Sequence, residues 1–299
     1  MYRKDFCEIN LLKNMIATKK SWPDVIINTI TPREYRDDIK GTLTIFSNIR
    51  GQAYYGADNQ REQVGEDTYF ISNEHQLYSI DIRRQTETFN IHFSTAMLHE
   101  LLPTLTLNTE SLLDNAGTSA VQPYYFYNRQ YWKDNYFRKT VSLLQSGYLS
   151  GRLDGLMTEE VLASLLQHIL SGQNDFFRRI DTLPVVKAAT RDEVLARLSS
   201  AVDYIYQQYY TAISLDELAT VACMSKFHFL RMFKQVQGQT PYQFIAAIRL
   251  DKAKQLLSDS ELTVTDIALL VGYEDIATFC RAFKRRYNTW PMSYRLASQ

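Results

Sequence analysis

A chain of 299 residues is long enough for two domains of about 150 residues each. With 45% apolar and 22% charged residues, its composition excludes a disordered chain. Its 33 Lys+Arg balance 33 Asp+Glu, which excludes attraction to nucleic acid through bulk positive charge but leaves room for a small basic surface. Cys7, Cys223 and Cys280 are scattered and form no C-x-x-C pair. Neither a disulfide framework nor a zinc site is expected, and the thiols are predicted to be reduced. The start, Met1-Tyr2-Arg3-Lys4-Asp5-Phe6, has no apolar signal-peptide core. No apolar run approaches the ~20 residues that cross a bilayer, so a cytoplasmic protein without a membrane anchor is expected.

The first half reads as strands. Residues 25–27, 42–49, 67–72, 76–82 and 88–94 are rich in β-branched and aromatic side chains, and Gly41, Gly51, Gly56 and Gly65 punctuate them as turns. Phe89, Ile91 and Phe93 alternate with Asn90, His92 and Ser94, the period of a strand with one buried face. Closely spaced strands of this kind predict an antiparallel barrel or sandwich. From about residue 130 the pattern turns helical. Met157, Val161, Leu162, Leu165, Leu166, Ile169 and Leu170 form a wide apolar stripe that can cover the barrel or a dimer partner. Asp181-Thr182-Leu183-Pro184 and the residues to 190 read as a linker, because proline interrupts a continuous helix. Beyond residue 192 every segment reads as helix.

That last region contains an internal repeat. Its first copy runs Leu218-Ala219, Cys223-Met224-Ser225, Phe229-Leu230-Arg231-Met232-Phe233-Lys234, then Gly238-Gln239-Thr240-Pro241-Tyr242. The second runs Ile267-Ala268, Gly272-Tyr273-Glu274, Phe279-Cys280-Arg281-Ala282-Phe283-Lys284, then Asn288-Thr289-Trp290-Pro291-Met292. Ser214 is placed to cap a short helix with Asp216 and Glu217 in its first turn, and Ser225 to cap the next one. In the second copy Thr263 or Thr265 starts the short helix, Gly272 makes the turn and Asp275 caps the helix to about residue 287. Two helices joined by a tight turn, the first carrying a small alanine at the crossing, make a helix-turn-helix unit. Pro241 opens a further helix that connects the two units.

Phe229, Met232 and Phe233, and likewise Phe279, Ala282 and Phe283, share one helix face and are predicted to be core. The rest of each second helix is basic: Lys226, Arg231 and Lys234 in one copy, Arg281, Lys284, Arg285 and Arg286 in the other. Residues 190–299 hold 13 Lys+Arg against 11 Asp+Glu, so the useful charge lies on these two helices rather than on the domain. A helix-turn-helix inserts its second helix in the major groove, where arginine pairs bidentately with guanine.

These motifs resemble the AraC/XylS family of bacterial transcription regulators, over roughly the last hundred residues. Asn288 and Trp290 depart from the family pattern, and Asn288 keeps the turn because asparagine tolerates a left-handed backbone. The resemblance implies an α+β chain of two domains. Residues 1–184 would form a cupin-like β-barrel with flanking helices for effector sensing and dimerisation, and residues 185–299 the DNA-binding domain. Carried over by motif position, the base-reading residues are Phe227, Leu230, Arg231, Ile276, Ala277 and Arg281. The phosphate contacts are Lys226, Lys234, Lys284, Arg285 and Arg286. Four apolar residues among the six readers imply contact with thymine methyls beside arginine–guanine anchors; alternatively Phe227 and Leu230 belong partly to the core. Tyr69, Tyr78 and Phe93 are the candidate effector-pocket residues for a sugar or aromatic molecule. His75, His92 and His99 lack the spacing of a metal cupin, so no metal, cofactor or catalysis is expected. The implied partners are double-stranded DNA, a small-molecule effector, RNA polymerase and a second copy of the chain, and the implied role is activation. A cupin-like enzyme fused to a DNA-binding domain and a ligand-independent regulator are the competing readings.

Overall fold

The computed structural model describes residues 24–58, 60–106, 125–127, 129–151, 155–181 and 188–298. Contacts divide the chain into two compact units, Met1–Asn174 and Asp175–Gln299. Cys7, Tyr124, the N-terminal residues read for a signal peptide and most of the expected linker lie outside the described residues.

Among the described residues the first unit is built on nine strands: β1 (Val25–Thr31), β2 (Glu34–Lys40), β3 (Thr44–Arg50), β4 (Ala53–Ala57), β5 (Gln60–Val64), β6 (Thr68–Ser72), β7 (Leu77–Ile82), β8 (Thr86–His92) and β9 (Gln130–Trp132). They form two antiparallel sheets, ordered β1-β8-β3-β6-β9 and β2-β7-β4-β5. The expected barrel is therefore corrected to two sheets that do not close on each other. A barrel needs an unbroken ladder around its wall, and among the described residues no ladder joins the sheets. The chain changes sheets at Pro32-Arg33, between β1 and β2, where proline has no N–H to give to a ladder.

Alternation along the strands assigns the two faces. Phe46 and Phe70 of the larger sheet meet Tyr55, Val64, Tyr78 and Ile82 of the smaller one in one buried cluster. Phe46 stacks on Tyr55 with ring centroids 4.6 Å apart. The neighbouring residues Ile45, Tyr69, Ile71, Phe89 and Ile91 point the other way, into a second cluster formed with helices. These helices are α1 (Thr95–Thr106), α2 (Asn135–Ser150) and α3 (Gly155–Asp181). Leu162, Leu165, Leu166, Ile169 and Leu170 of the apolar stripe are buried in that cluster, while Met157 stays exposed. Asp134 caps α2 through the Phe137 N–H and also meets His168 of α3 at 2.7 Å.

Strand β8 corrects a second expectation. Asn90 and His92 are buried as well as Phe89, Ile91 and Phe93, because both faces of the larger sheet are covered. The His92 ring is satisfied there by the Thr44 hydroxyl at 2.9 Å. Gly56, expected at a turn, lies inside β4 opposite Arg61 and Ser79. No described helix is long and apolar enough to cross a membrane.

Candidate nucleic-acid interface

The second unit continues with α4 (Ala188–Gln208), α5 (Leu215–Val221), α6 (Lys226–Gln237), α7 (Pro241–Asp259), α8 (Val264–Leu270), α9 (Ile276–Tyr287) and α10 (Pro291–Ser298). Local sequence accounts for nearly every boundary. Ser214, Thr240 and Thr263 each start a helix with a full capping box, closed by Glu217, Gln243 and Asp266, so two orphan donors are satisfied at each start. Asp275 caps α9 by accepting from the Ala277 and Thr278 N–H groups. The Thr278 hydroxyl and those N–H groups hold its carboxyl below the usual carboxylate range. Ser225 occupies the cap position of α6 but makes no side-chain cap bond, which corrects the role expected for it; only its carbonyl is used, by the Phe229 N–H at 2.8 Å.

The repeat is reproduced as geometry. Met224 N–H donates to the Ala219 carbonyl, and Tyr273 N–H to the Ala268 carbonyl, both at 2.9 Å. Ala219 and Ala268 are buried at these crossings, where a larger side chain would push the helices apart. Both turns pass through a left-handed residue, Cys223 at φ 50 and Gly272 at φ 90. Both recognition-type helices end the same way, at Gly238 with φ 73 and Asn288 with φ 57. Asparagine thus takes over the glycine role at the second end, as its short polar side chain permits.

Helices α6 and α9 divide their side chains alike. Phe229, Met232, Phe233 and Val236 of α6 are buried, as are Phe279 and Phe283 of α9. Ala282, expected with the latter pair, is only half-buried. The opposite face carries the predicted readers. Phe227 is 86% exposed, so it is not core; Leu230 is half-buried and Arg231 exposed. On α9, Ile276, Ala277 and Arg281 are all exposed. His228 and Thr278 share this exposed N-terminal region and were not among the predicted readers. A helical wheel places residues 227, 228 and 231 on one open face, a signal already present in the sequence.

The basic residues are less uniform. Lys226 is bridged to Asp216 of α5 at 2.6 Å. Lys284 lies over the Trp290 ring, 4.4 Å from its centroid. Arg286 donates to both carboxylate oxygens of Asp251 on α7, at 3.1 and 3.2 Å, and Tyr287 donates to the same carboxylate. Burial and Asp251 together raise the Tyr287 hydroxyl well above its ordinary range. Lys234 and Arg285 are exposed.

In the first unit the three expected pocket residues are divided between two clusters. Tyr69 and Phe93 belong to the cluster between sheet and helices, and Tyr78 to the cluster between the sheets. Burial pushes the Tyr78 hydroxyl up to about 12. A depression of about 500 Å³ touches Tyr78 but is lined largely by polar groups, among them Asp37, Asp38, Asp58, Arg61 and Ser79. No described group of three or more His, Cys, Asp and Glu is placed to hold a metal ion.

Comparison with known proteins places this arrangement. A family described as a helix-turn-helix domain matches residues 218–297. An uncharacterized HTH-type transcriptional regulator of Haemophilus influenzae is 40% identical over 99 residues, 33% of each chain. The probable transcription factor PqrA of Proteus vulgaris is 36% identical over 83 residues, 28% of this chain and 68% of that protein. The solved structure of an AraC-type transcriptional regulator from Chromobacterium violaceum is similar at 25% identity and a TM-score of 0.33, covering 35% of this chain and 93% of that one. The matches span 33%, 38% and 49% of the length of three curated relatives. The chain belongs to the AraC-type family of helix-turn-helix transcriptional regulators.

Proposed function

We propose that this chain is a sequence-specific DNA-binding transcription regulator whose helices α6 and α9 enter successive major-groove segments of one duplex. One observation carries the reading: both helices bury the same aromatic face and leave Phe227 with Arg231, and Ile276 and Ala277 with Arg281, open at their N-terminal ends. Residues at that end of a recognition helix meet base edges. The α7 helix has 19 residues, about 28 Å at 1.5 Å per residue, a span compatible with two readers about one DNA turn apart. Family membership supports the remaining parts of the proposal. These are a sensing and dimerising domain over residues 1–184, a reading domain over 185–299, a small-molecule effector, a homodimer, and activation through RNA polymerase without any catalytic step.

The test is a pair of substitutions. Arg231→Ala or Arg281→Ala is expected to cost ~1–3 kcal/mol of specific binding and to relax preference at one base pair. An equal loss on specific and random DNA would make that arginine a phosphate contact and overturn the assignment. The phosphate contacts are read from salt dependence. Each neutralised contact lowers the slope of log K against log salt by about 0.9. Lys284→Gln and Arg285→Gln are each expected to remove close to that amount. Arg286→Gln should remove less, since Asp251 already engages its guanidinium. Equal slopes for all three variants and the unaltered chain would contradict this.

A further inference from the structure

The two helix-turn-helix units are joined by more than the α7 helix. Arg249, midway along α7, donates from Nε to the Tyr209 carbonyl at 2.7 Å and from Nη2 to the Thr211 carbonyl at 2.6 Å. Both carbonyls belong to the segment that leads into the first helix-turn-helix. Its third donor, Nη1, reaches the Gly272 carbonyl at 2.7 Å, in the turn of the second unit. The guanidinium also lies 5.7 Å from the centroid of the Tyr273 ring. The contact is close as well as polar. A Cβ on Gly272 would stand 2.6 Å from the Tyr210 carbonyl oxygen, so the turn of the second helix-turn-helix sits directly against the segment leading into the first.

A helix between two units fixes their distance but leaves small rotations at either end. Three carbonyls held by one planar guanidinium remove that freedom, because its donors lie in a fixed fork. None of these contacts lies on the exposed faces of α6 or α9. B-DNA advances about 3.4 Å and turns about 35° per base pair, so a small change in the angle between α6 and α9 alters which base pairs both can meet.

We infer that Arg249 is a positioning residue that sets the phase between the two recognition helices, and with it the spacing of the two DNA boxes the chain accepts. The inference rests on the proposed reading of DNA by both helices. It deepens that reading by naming a specificity determinant that touches no DNA.

The experiment first selects a bound site with the full chain, then varies the spacing between its two boxes by one base pair in either direction. Dissociation constants are measured for the unaltered chain, Arg249→Gln and Arg249→Lys, with far-UV circular dichroism as the folding control. The unaltered chain is expected to lose about tenfold or more in affinity per base pair of misspacing, the scale of one mismatched pair. For Arg249→Gln the penalty should shrink to about threefold or less, while affinity for a site with one box scrambled stays within about twofold. Arg249→Lys keeps the charge but not the fork and should fall between them; it carries the test if the glutamine variant fails to fold. A spacing profile unchanged in both variants, or a loss of the same factor at every spacing, would overturn the inference. Failure to select any site would count instead against DNA reading itself.

Discussion

Gly272→Ala is expected to destabilise the second helix-turn-helix unit by about 2–6 kcal/mol. Two independent costs meet at this position. The residue has φ 90, where an L side chain is strained by about 1–3 kcal/mol. A Cβ there would also lie 2.6 Å from the Tyr210 oxygen and 3.0 Å from the Arg249 guanidinium carbon, and backbone cannot yield as a flexible side chain does. Overpacking of this kind costs about 1–3 kcal/mol in a well-packed region. The first helix-turn-helix supplies the comparison: Cys223 takes the equivalent left-handed position at φ 50 and is exposed, so a side chain is accommodated where nothing crowds it. Hydrogen exchange should show α8 and α9 losing protection while the strands of the first unit keep theirs. Unchanged protection of α8 and α9 would mean that the turn relaxes freely and that the packing of Gly272 on residue 210 is unimportant.

The stability of the first unit is expected to fall by about 3 kcal/mol as pH drops from 6.5 to 4, through His92 alone. Burial lowers the His92 pKa from 6.5 to about 4. The sign follows from proton uptake. Below pH 6.5 the unfolded chain binds a proton at this ring, whereas the folded chain does not until about pH 4. Stability is therefore present in full above 6.5 and is lost as pH falls through that window. At about 1.36 kcal/mol per pH unit, the lowered pKa corresponds to about 3 kcal/mol. His92→Gln, which cannot titrate, should show a shallower dependence of urea stability on pH across this range. Identical slopes for the two proteins would show that the folded chain protonates His92 as readily as the unfolded one.

The second unit was largely legible from local sequence because its boundaries are set by local chemistry. Capping boxes lie within four residues of chain, and three of the four left-handed positions fall on Gly272, Gly238 and Asn288, Cys223 being the exception. The strands were harder for a physical reason. Strand β2, Glu34-Tyr35-Arg36-Asp37-Asp38-Ile39-Lys40, is mostly exposed and held by its ladder to β7, so it shows little of the apolar alternation that marks a strand. Strand β5, with Gln60-Arg61-Glu62-Gln63-Val64, is equally quiet. Strand β8 misled in the other direction, since a covering layer on each face buries its polar residues too.

At the candidate site, the readers were placed by motif position through the family resemblance, and all but the half-buried Leu230 are exposed, but the state of the charges could not be read that way. Arg286 is paired with Asp251, 35 residues away, and Lys226 with Asp216 on the preceding helix. Arg249 reaches carbonyls 40, 38 and 23 residues distant. Long-range pairings of this kind leave no periodic trace in the chain. The aromatic pocket expected in the first unit rested on residue type and strand face, and neither separates the two cores in which Tyr69, Phe93 and Tyr78 are found.

On the proposed function, α6 and α9 both read bases on one duplex. In vitro selection of DNA bound by the full chain tests it most directly, run in parallel with the Arg231→Ala and Arg281→Ala variants. The predicted result is a site of two enriched boxes about one helical turn apart. Each variant should lose enrichment at a guanine in one box and keep the other box unchanged. No enrichment, or a single box indifferent to Arg281→Ala, would contradict it.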